Sequence, residues 1–325
     1  MSRSLIVLPD DSAGPIVKAI DEATRSLRIK MFVFSDTRLV RAVIAAMKRG
    51  VKVRAILNAA RRNGHRDNEI TRRKLEHAGA AVVEGNPAFT VTHEKSMVVD
   101  DKLAVIGSLN WVKKNLDETR DYAIVTTRRH DIAEIVDCFE ADWYRKPFAP
   151  RDRSHLVWCP GPGRDRICRF IDRAQHTLFV QNERFQDAVV NERLVRAVKR
   201  GVKVHVMVRP PHTLDRDKLV EGVGGLRILD DVGIRIHKLK TLRLHGKILL
   251  ADDLSAIVGS INFAPGSLDD RRELAIEVSD PEVVHRLRKV ARHDWKHSHP
   301  LDLSDEGLRQ DLEPRVEGSR ELLGL

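Results

Sequence analysis

Two histidine–lysine pairs carry the chemistry in this sequence. His93 and Lys95 are followed by Asp100 and by Gly107-Ser108-Leu109-Asn110. His245 and Lys247 are followed by Asp252 and by Gly259-Ser260-Ile261-Asn262. Both copies fit H-x-K-x4-D-x6-G-S-x-N without a gap, and chance does not produce that twice. These residue types suit a phosphodiester. Such an anion repels nucleophiles and parts with its alcohol reluctantly, so it needs cationic donors, a nucleophile and an acid. One copy supplies one His, one Lys, one Ser and one Asn; two copies supply a pair of each. Free histidine titrates near about 6.5, so one ring can attack while the other gives up a proton. The spacing of two in H-x-K puts imidazole and ammonium on one face of a strand. Asn110 and Asn262 are expected to donate to phosphate oxygens. Ser108 and Ser260 either join them there or support the turn.

A carboxylate lies eleven residues beyond each asparagine: Asp121 after Asn110 and Glu273 after Asn262. Each directly follows an arginine, Arg120 or Arg272. Both carboxylates are expected to accept a hydrogen bond from an imidazole nitrogen and so fix its tautomer. A metal centre would pair histidines with carboxylates and keep lysine out of the middle, because an ammonium repels a cation. The two lysines therefore point to a bound anion, with no metal and no cofactor. The three cysteines, Cys138, Cys159 and Cys168, form no C-x-x-C and read as buried thiols.

The two motifs resemble those of the phospholipase D superfamily. The Lys-Arg-Gly-Val-Lys-Val block and the Asp-Trp near the end of each half are similar to its cardiolipin-synthase-like branch. The resemblance spans nearly all of residues 1–300. It implies a metal-independent phosphodiesterase or phosphatidyltransferase working through a phosphohistidine intermediate. It also implies that His93 is the nucleophile and His245 the acid, which spacing alone leaves open. Asp100 and Asp252 belong to the motif; by count they fall at strand ends and are expected to tie a turn.

The elements that must position these residues come in two sets. His93 and His245 lie 152 residues apart, and Lys48–Val53 returns as Lys199–Val204. Asp142-Trp143 likewise returns as Asp294-Trp295. Expected units are residues 1–150 and 151–300, joined at Pro147-Phe148-Ala149-Pro150, then a C-terminal tail over 301–325 that is either a short helix or loosely held. Within the first half, apolar spacing predicts helices over Gly14–Arg25, Arg38–Arg49, Asn68–Ala78 and Asp131–Tyr144. Strands are expected over Leu5–Leu8, Leu27–Phe34, Val51–Leu57, Ala81–Val83, Glu94–Asp100, Leu103–Ile106 and Tyr122–Thr126. Ser279 with Glu282 reads as a capping box for the last helix. Alternating strands and helices give an α/β class. The expectation is two homologous α/β sandwich halves of phospholipase D-like fold, with helices on both faces of a central sheet. They would be related by a pseudo-twofold axis and packed edge to edge or face to face. Trp111 and Phe263, next to the asparagines, are expected in the core, as are Trp143 and Trp295.

The 325 residues carry a formal net charge of +10, with 42% hydrophobic and 5% aromatic content. The basic surface suits phospholipid headgroups or nucleic acid. Few aromatics leave little material for stacking bases, which tilts the reading towards phospholipid. A nuclease of the same superfamily is the alternative, and a non-catalytic scaffold ranks third. Arg61-Arg62-Asn63-Gly64-His65-Arg66 and Arg209-Pro210-Pro211-His212 follow matching strands and either rim the site or are merely solvated. No stretch is apolar enough to span a membrane. The start lacks a signal-peptide pattern. A cytoplasmic protein with peripheral attachment to anionic lipid is expected. One chain holds both motifs, so a monomer suffices for one site.

Overall fold

A computed structural model describes residues 2–60, 64–209 and 216–312, the side chains of 216–222 and 309–312 excepted. The first half runs β1 (Arg3–Leu8), α1 (Gly14–Asp21), β2 (Ser26–Met31), α2 (Thr37–Lys48), β3 (Lys52–Leu57), α3 (Glu69–His77), β4 (Ala81–Glu84), β5 (Val91–Thr92), β6 (Lys95–Val99), β7 (Leu103–Gly107), α4 (Lys113–Asp117), β8 (Thr119–Thr126) and α5 (Arg129–Trp143). The second runs β9 (Leu156–Cys159), α6 (Gly163–Arg173), β10 (Thr177–Asn182), α7 (Ala188–Lys199), β11 (Lys203–Val208), α8 (Arg216–Asp231), β12 (Arg235–Leu239), β13 (Arg243–Leu244), β14 (Ile248–Ala251), β15 (Ser255–Gly259), a π-helical turn (Gly266–Asp270), β16 (Arg271–Val278), α9 (Pro281–Lys296), β17 (Ser298–Pro300) and α10 (Asp305–Leu312).

The first sheet has the order β1-β8-β7-β6-β2-β3-β4, with β13 added beside β8. The second has the order β17-β12-β11-β10-β14-β15-β16-β5, with β9 added beside β16. The halves thus exchange a segment. β5 leaves the first half to pair in parallel with β16, and β13 leaves the second to pair in parallel with β8. Each exchanged strand ends one residue before a motif histidine.

Alternation along the strands fixes the layers. In β8, Ala123 faces an outer core with Ile16, Leu39 and Val43 of α1 and α2. Tyr122 and Ile124 face inward. In β16, Ala275 joins the outer core under α6 and α7, while Leu274 and Ile276 face inward. The inner residues of both sheets meet in one shared core, together with Ile132 and Ile135 of α5 and Leu287 of α9. The sheets therefore pack face to face. Helices cover the outer faces, whereas each inner face is covered by the other sheet with α5 and α9. Helices thus stand on both sides of each sheet, as expected, and the other sheet shares the inner side.

Two local expectations change, and past residue 300 the helical alternative is the one realised. The last helix begins at Pro281 with Asp280 at its cap, and no side chain closes that cap. The Asp280 carboxylate is instead drawn to Arg3 and Arg128. Trp143 and Trp295 are half-buried, Trp143 under the Arg54 guanidinium at 4.1 Å and Trp295 stacked on His237 at 3.8 Å. Past residue 300, Leu301, Leu303 and Leu308 enter the outer core of the second half. Residues 313–325 of the expected tail lie outside the described residues.

Candidate active site

The two histidines line one cleft of about 730 Å3 between the halves. His93 and Glu94 donate their backbone N–H groups to the Arg272 carbonyl, both at 2.9 Å. His245 and Gly246 donate theirs to the Arg120 carbonyl at 3.2 and 2.7 Å. The sheet exchange therefore lays each histidine beside the other half's orienting carboxylate. His93 Nδ1 sits 2.8 Å from Glu273 Oε2, and His245 Nδ1 sits 2.8 Å from Asp121 Oδ1. Asp121 is a methylene shorter than Glu273, yet the contacts are equal.

Both carboxylates are fully buried and held by further donors. Asp121 accepts from Ser108 at 2.5 Å, Thr119 at 2.5 Å and Asn115 at 3.1 Å. Glu273 accepts from Ser260 at 2.6 Å and Ser267 at 2.7 Å. The motif serines thus stand behind the carboxylates, fully buried. Their hydroxyls are not directed at a phosphate, the first of the two roles considered for them. The glycine before each serine lets two strands approach closely: a Cβ on Gly259 would lie 2.3 Å from Ala275 Cα.

Burial works against the charge on Glu273, but His93 and Lys95 outweigh it and hold the carboxyl down at about 2. Asp121 is likewise lowered, with His245 and Lys247 overcoming burial. Burial pushes His93 down to about 3, because Glu273 recovers only part of the lost hydration. The His93–Glu273 contact is therefore a hydrogen bond from a neutral ring and not an ion pair. With Glu273 ionised, the proton sits on Nδ1 and Nε2 keeps its lone pair.

Lys95 and Lys247 are 2% and 3% exposed, and each ammonium folds back onto the carbonyl of its own histidine. Burial, first, and Lys247, among the nearby charges, lower Lys95 well below its ordinary value. The two ammonium groups are thus close enough to repel and would gain from an anion between them. Asn110 and Asn262 also line the cleft, and the amide oxygen of each is buried without a partner. Such acceptors cost free energy unless a donor, such as a hydroxyl of a bound alcohol, meets them.

Asp100 and Asp252 lie away from this cluster. Each has a positive φ, 53° and 54°, in the turn after its strand. Asp100 accepts from the backbone of Thr24, Arg25 and Ser26, and Asp252 from that of Gln175, His176 and Thr177. They tie the loop before β2 or β10 to the motif hairpin. Trp111 and Phe263 are core residues, edge-on to Phe34 and Phe185. Of the basic loops, Arg209 lines the cleft, while Arg61, Arg62, Asn63, Pro210, Pro211 and His212 lie outside the described residues.

Sequence reasoning missed three groups. Glu183 sits 2.7 Å from Lys247 Nζ and 3.8 Å from His245 Nε2, and also accepts from Arg209 at 3.1 Å. Its repeat counterpart is Phe32, which packs edge-on to His93 and lies 5.0 Å from Lys95 Nζ. Laying one half over the other would have exposed that break in the repeat. The second group is a pair of clamps between halves. Arg120 holds Asp294 through two hydrogen bonds of 2.9 Å, and Arg272 holds Asp142 through two of 3.0 Å. The signal was present, since both arginines and both Asp-Trp pairs recur. The third is Lys30, fully buried between Glu94 at 2.9 Å and Asp142 at 2.8 Å. Glu94, Cys138 and Asp142 lie close enough to hold a metal ion, but the Lys30 ammonium fills that role.

The sequence of this site matches a family model described as cardiolipin synthase, PLD-like domain, over residues 16–143 and again over 167–295. The chain belongs to the phospholipase D-like family. It is 25% identical to cardiolipin synthase B of Shigella flexneri over 84% of this chain and 75% of that protein. It is 24% identical to a polyphosphate kinase of Vibrio parahaemolyticus serotype O3:K6 over 94% of this chain. The chain spans only 45% of the length of that kinase. The fold matches the crystal structure of phosphatidylserine synthase from Haemophilus influenzae Rd KW20, with a TM-score of 0.72 and 10% identity over 94% of this chain and 91% of that one. Among the described residues of this family member, no helix is long and apolar enough to cross a membrane.

Proposed function

We propose that this phospholipase D-like chain is a metal-independent phosphodiester hydrolase or transferase acting on glycerophospholipids through a phosphohistidine. The observation that carries the reading is the crossed pairing: both imidazoles, each oriented by the other half's carboxylate, open on one cleft above two buried lysines. Neutral His93 attacks phosphorus through Nε2. The P–N bond forms as the bond to the leaving alcohol breaks, and His245 gives its proton to the departing oxygen. His245, now neutral, takes a proton from water or an acceptor alcohol. That oxygen attacks phosphorus, the P–N bond breaks, and His93 is restored. Lys95, Lys247, Asn110 and Asn262 supply the cationic and amide donors that meet charge on the phosphoryl oxygens. Ser108 and Ser260 hold Asp121 and Glu273, and Asp100 and Asp252 hold the hairpins. Peripheral attachment to anionic lipid through the basic surface completes the reading, with one chain sufficient for one site.

Cardiolipin synthase B among the relatives favours a phospholipid over nucleic acid. The test is turnover by the purified chain, with chelator present, of phosphatidylglycerol vesicles, single-stranded DNA and polyphosphate. Release of glycerol or formation of a new phospholipid is expected. Shortened DNA would replace the lipid assignment with a nuclease, and consumption of polyphosphate would replace it with phosphoryl transfer.

A further inference from the structure

The two ends of the cleft differ in a way the repeat makes measurable. At the end next to His93 stand Phe32, Val33, Val91 and Gly266. Their repeat counterparts fill the matching places around His245: Glu183, Arg184 and Arg243 lie 151 or 152 positions further on, and Lys114 lies 152 positions before Gly266. Arg209 joins them, where the first half has Asn58. Arg271 and Asp270 also line the cleft, but their charges are opposite.

Three strands of observation make the cationic end a binding site. Lys114, on α4 of the first half, and Arg243, on β13 of the second, are brought together by the sheet exchange at β8. The Lys114 ammonium is lowered, first by burial and then by Arg243 and Arg209, which Glu118 and Glu183 offset only in part, so these cations crowd one another. Neither Lys114 nor Arg243 makes an ion pair or a side-chain hydrogen bond among the described residues, whereas Arg209 is engaged by Glu183. Crowded cations at a cleft wall, only partly offset by nearby carboxylates, lower their repulsion by binding an anion.

We propose that Lys114 and Arg243, backed by Arg209, form a second anion site that receives a phosphate carried on the alcohol arm of the substrate. This rests on the phosphodiester-transfer reading above. The alcohol that leaves or arrives beside His245 is then a phosphorylated polyol, while the arm beside Phe32 and Val91 is apolar. A polyanion threaded through the whole cleft fits less well, because among the described residues the His93 end sets Arg271 beside Asp270 and offers no matching row of cations.

The experiment uses the full chain with chelator and a fluorescent phosphatidylcholine donor in mixed micelles. Glycerol and glycerol 3-phosphate compete as acceptors. The wild type is expected to favour glycerol 3-phosphate in kcat/KM by about tenfold, the order set by a charge-assisted hydrogen bond. Arg243→Val, which installs the residue of the other half, and Lys114→Ala should bring that ratio close to unity. Arg41→Ala removes an equal charge from α2, outside the cleft, and should leave the ratio alone. Equal use of both acceptors by wild type would overturn the proposal. So would a ratio untouched by the cleft variants, or one lowered as much by Arg41→Ala. Should no lipid turn over at all, the parent reading fails and calorimetry decides this one separately. Glycerol 3-phosphate binding that weakens about tenfold in Arg243→Val upholds the site; absence of binding removes it. Tighter binding of a short single-stranded DNA, weakened by the same variants, would overturn the polyol assignment in favour of a polyanion.

Discussion

The two half-sites are built from one pattern and yet have different surroundings. Beside His93 and Lys95 lies the ring of Phe32; beside His245 and Lys247 lies the carboxylate of Glu183. Between histidine and lysine, the first copy has Glu94, which pairs with buried Lys30. The second has Gly246, where a Cβ would lie 2.6 Å from the Tyr122 ring. On the proposed mechanism, duplication supplies two of every reacting group, and divergence around them would give each copy separate work. An apolar neighbour keeps a histidine neutral and nucleophilic. A carboxylate neighbour suits a histidine that must carry a proton to the leaving group.

The largest effect should come from splitting the two roles. His93→Gln is expected to lower kcat by about 10⁴-fold or more and to leave no phosphorus on the enzyme. His245→Gln should lower turnover similarly but accumulate a covalent adduct from a nitrophenyl diester, whose leaving group needs no acid. Mass spectrometry of the quenched enzyme reads this directly. An adduct in His93→Gln and none in His245→Gln would exchange the assignments.

Next come the clamps between halves. Arg120→Leu leaves buried Asp294 with only Tyr122 and Gln181 as neutral partners, at 3.5 and 3.2 Å. Its cost should be about 3–5 kcal/mol in denaturant unfolding. Arg272→Leu leaves Asp142 paired with Lys30 and should cost about 1–3 kcal/mol. Equal losses would mean that Lys30 does not compensate.

A smaller effect concerns the anion itself. Glu183 is held well below the ordinary carboxylate range: burial opposes its charge, but Lys247, His245 and Arg209 overcome that. It thus occupies Lys247, and on the proposed mechanism a phosphate would compete with it there. Glu183→Gln should tighten inorganic phosphate binding by about tenfold, whereas Phe32→Glu should weaken it, both by calorimetry. Weaker binding in Glu183→Gln would make the carboxylate a contributor to the anion site and not a competitor.

The last comparison concerns acid stability. Unfolded histidine titrates near about 6.5 and folded His93 near about 3. Between these values the unfolded chain holds the extra proton, so His93 makes stability fall as pH falls through that window. Glu273, lowered to about 2 from an ordinary 4.5, adds a loss in the same direction between those two values. The denaturant midpoint of His93→Gln should decline less than that of wild type from pH 6.5 to 4.5. Parallel declines would assign the acid loss to other groups.

Much of this was legible in the residues. The repeat, the α/β class, the helices of each half and the histidines and lysines that line the cleft or lie beneath it follow from local patterns: H-x-K spacing, apolar periodicity, and Asp100 and Asp252 at hairpin turns. Those patterns act over a few residues, so sequence alone fixes them. Tertiary structure decided which groups work together. Nothing in either half says that β5 and β13 change sheets, so His93 with Glu273, His245 with Asp121, and each arginine with the distant Asp-Trp aspartate could not be paired in advance. Glu183 and Lys114 were equally hidden, because a charge reveals its role only once the chain has set its neighbours. The physical reason is common to all of these: the free energy of an ionised side chain depends on charges and water excluded within a few ångströms, and in this fold those neighbours come from residues more than a hundred positions away.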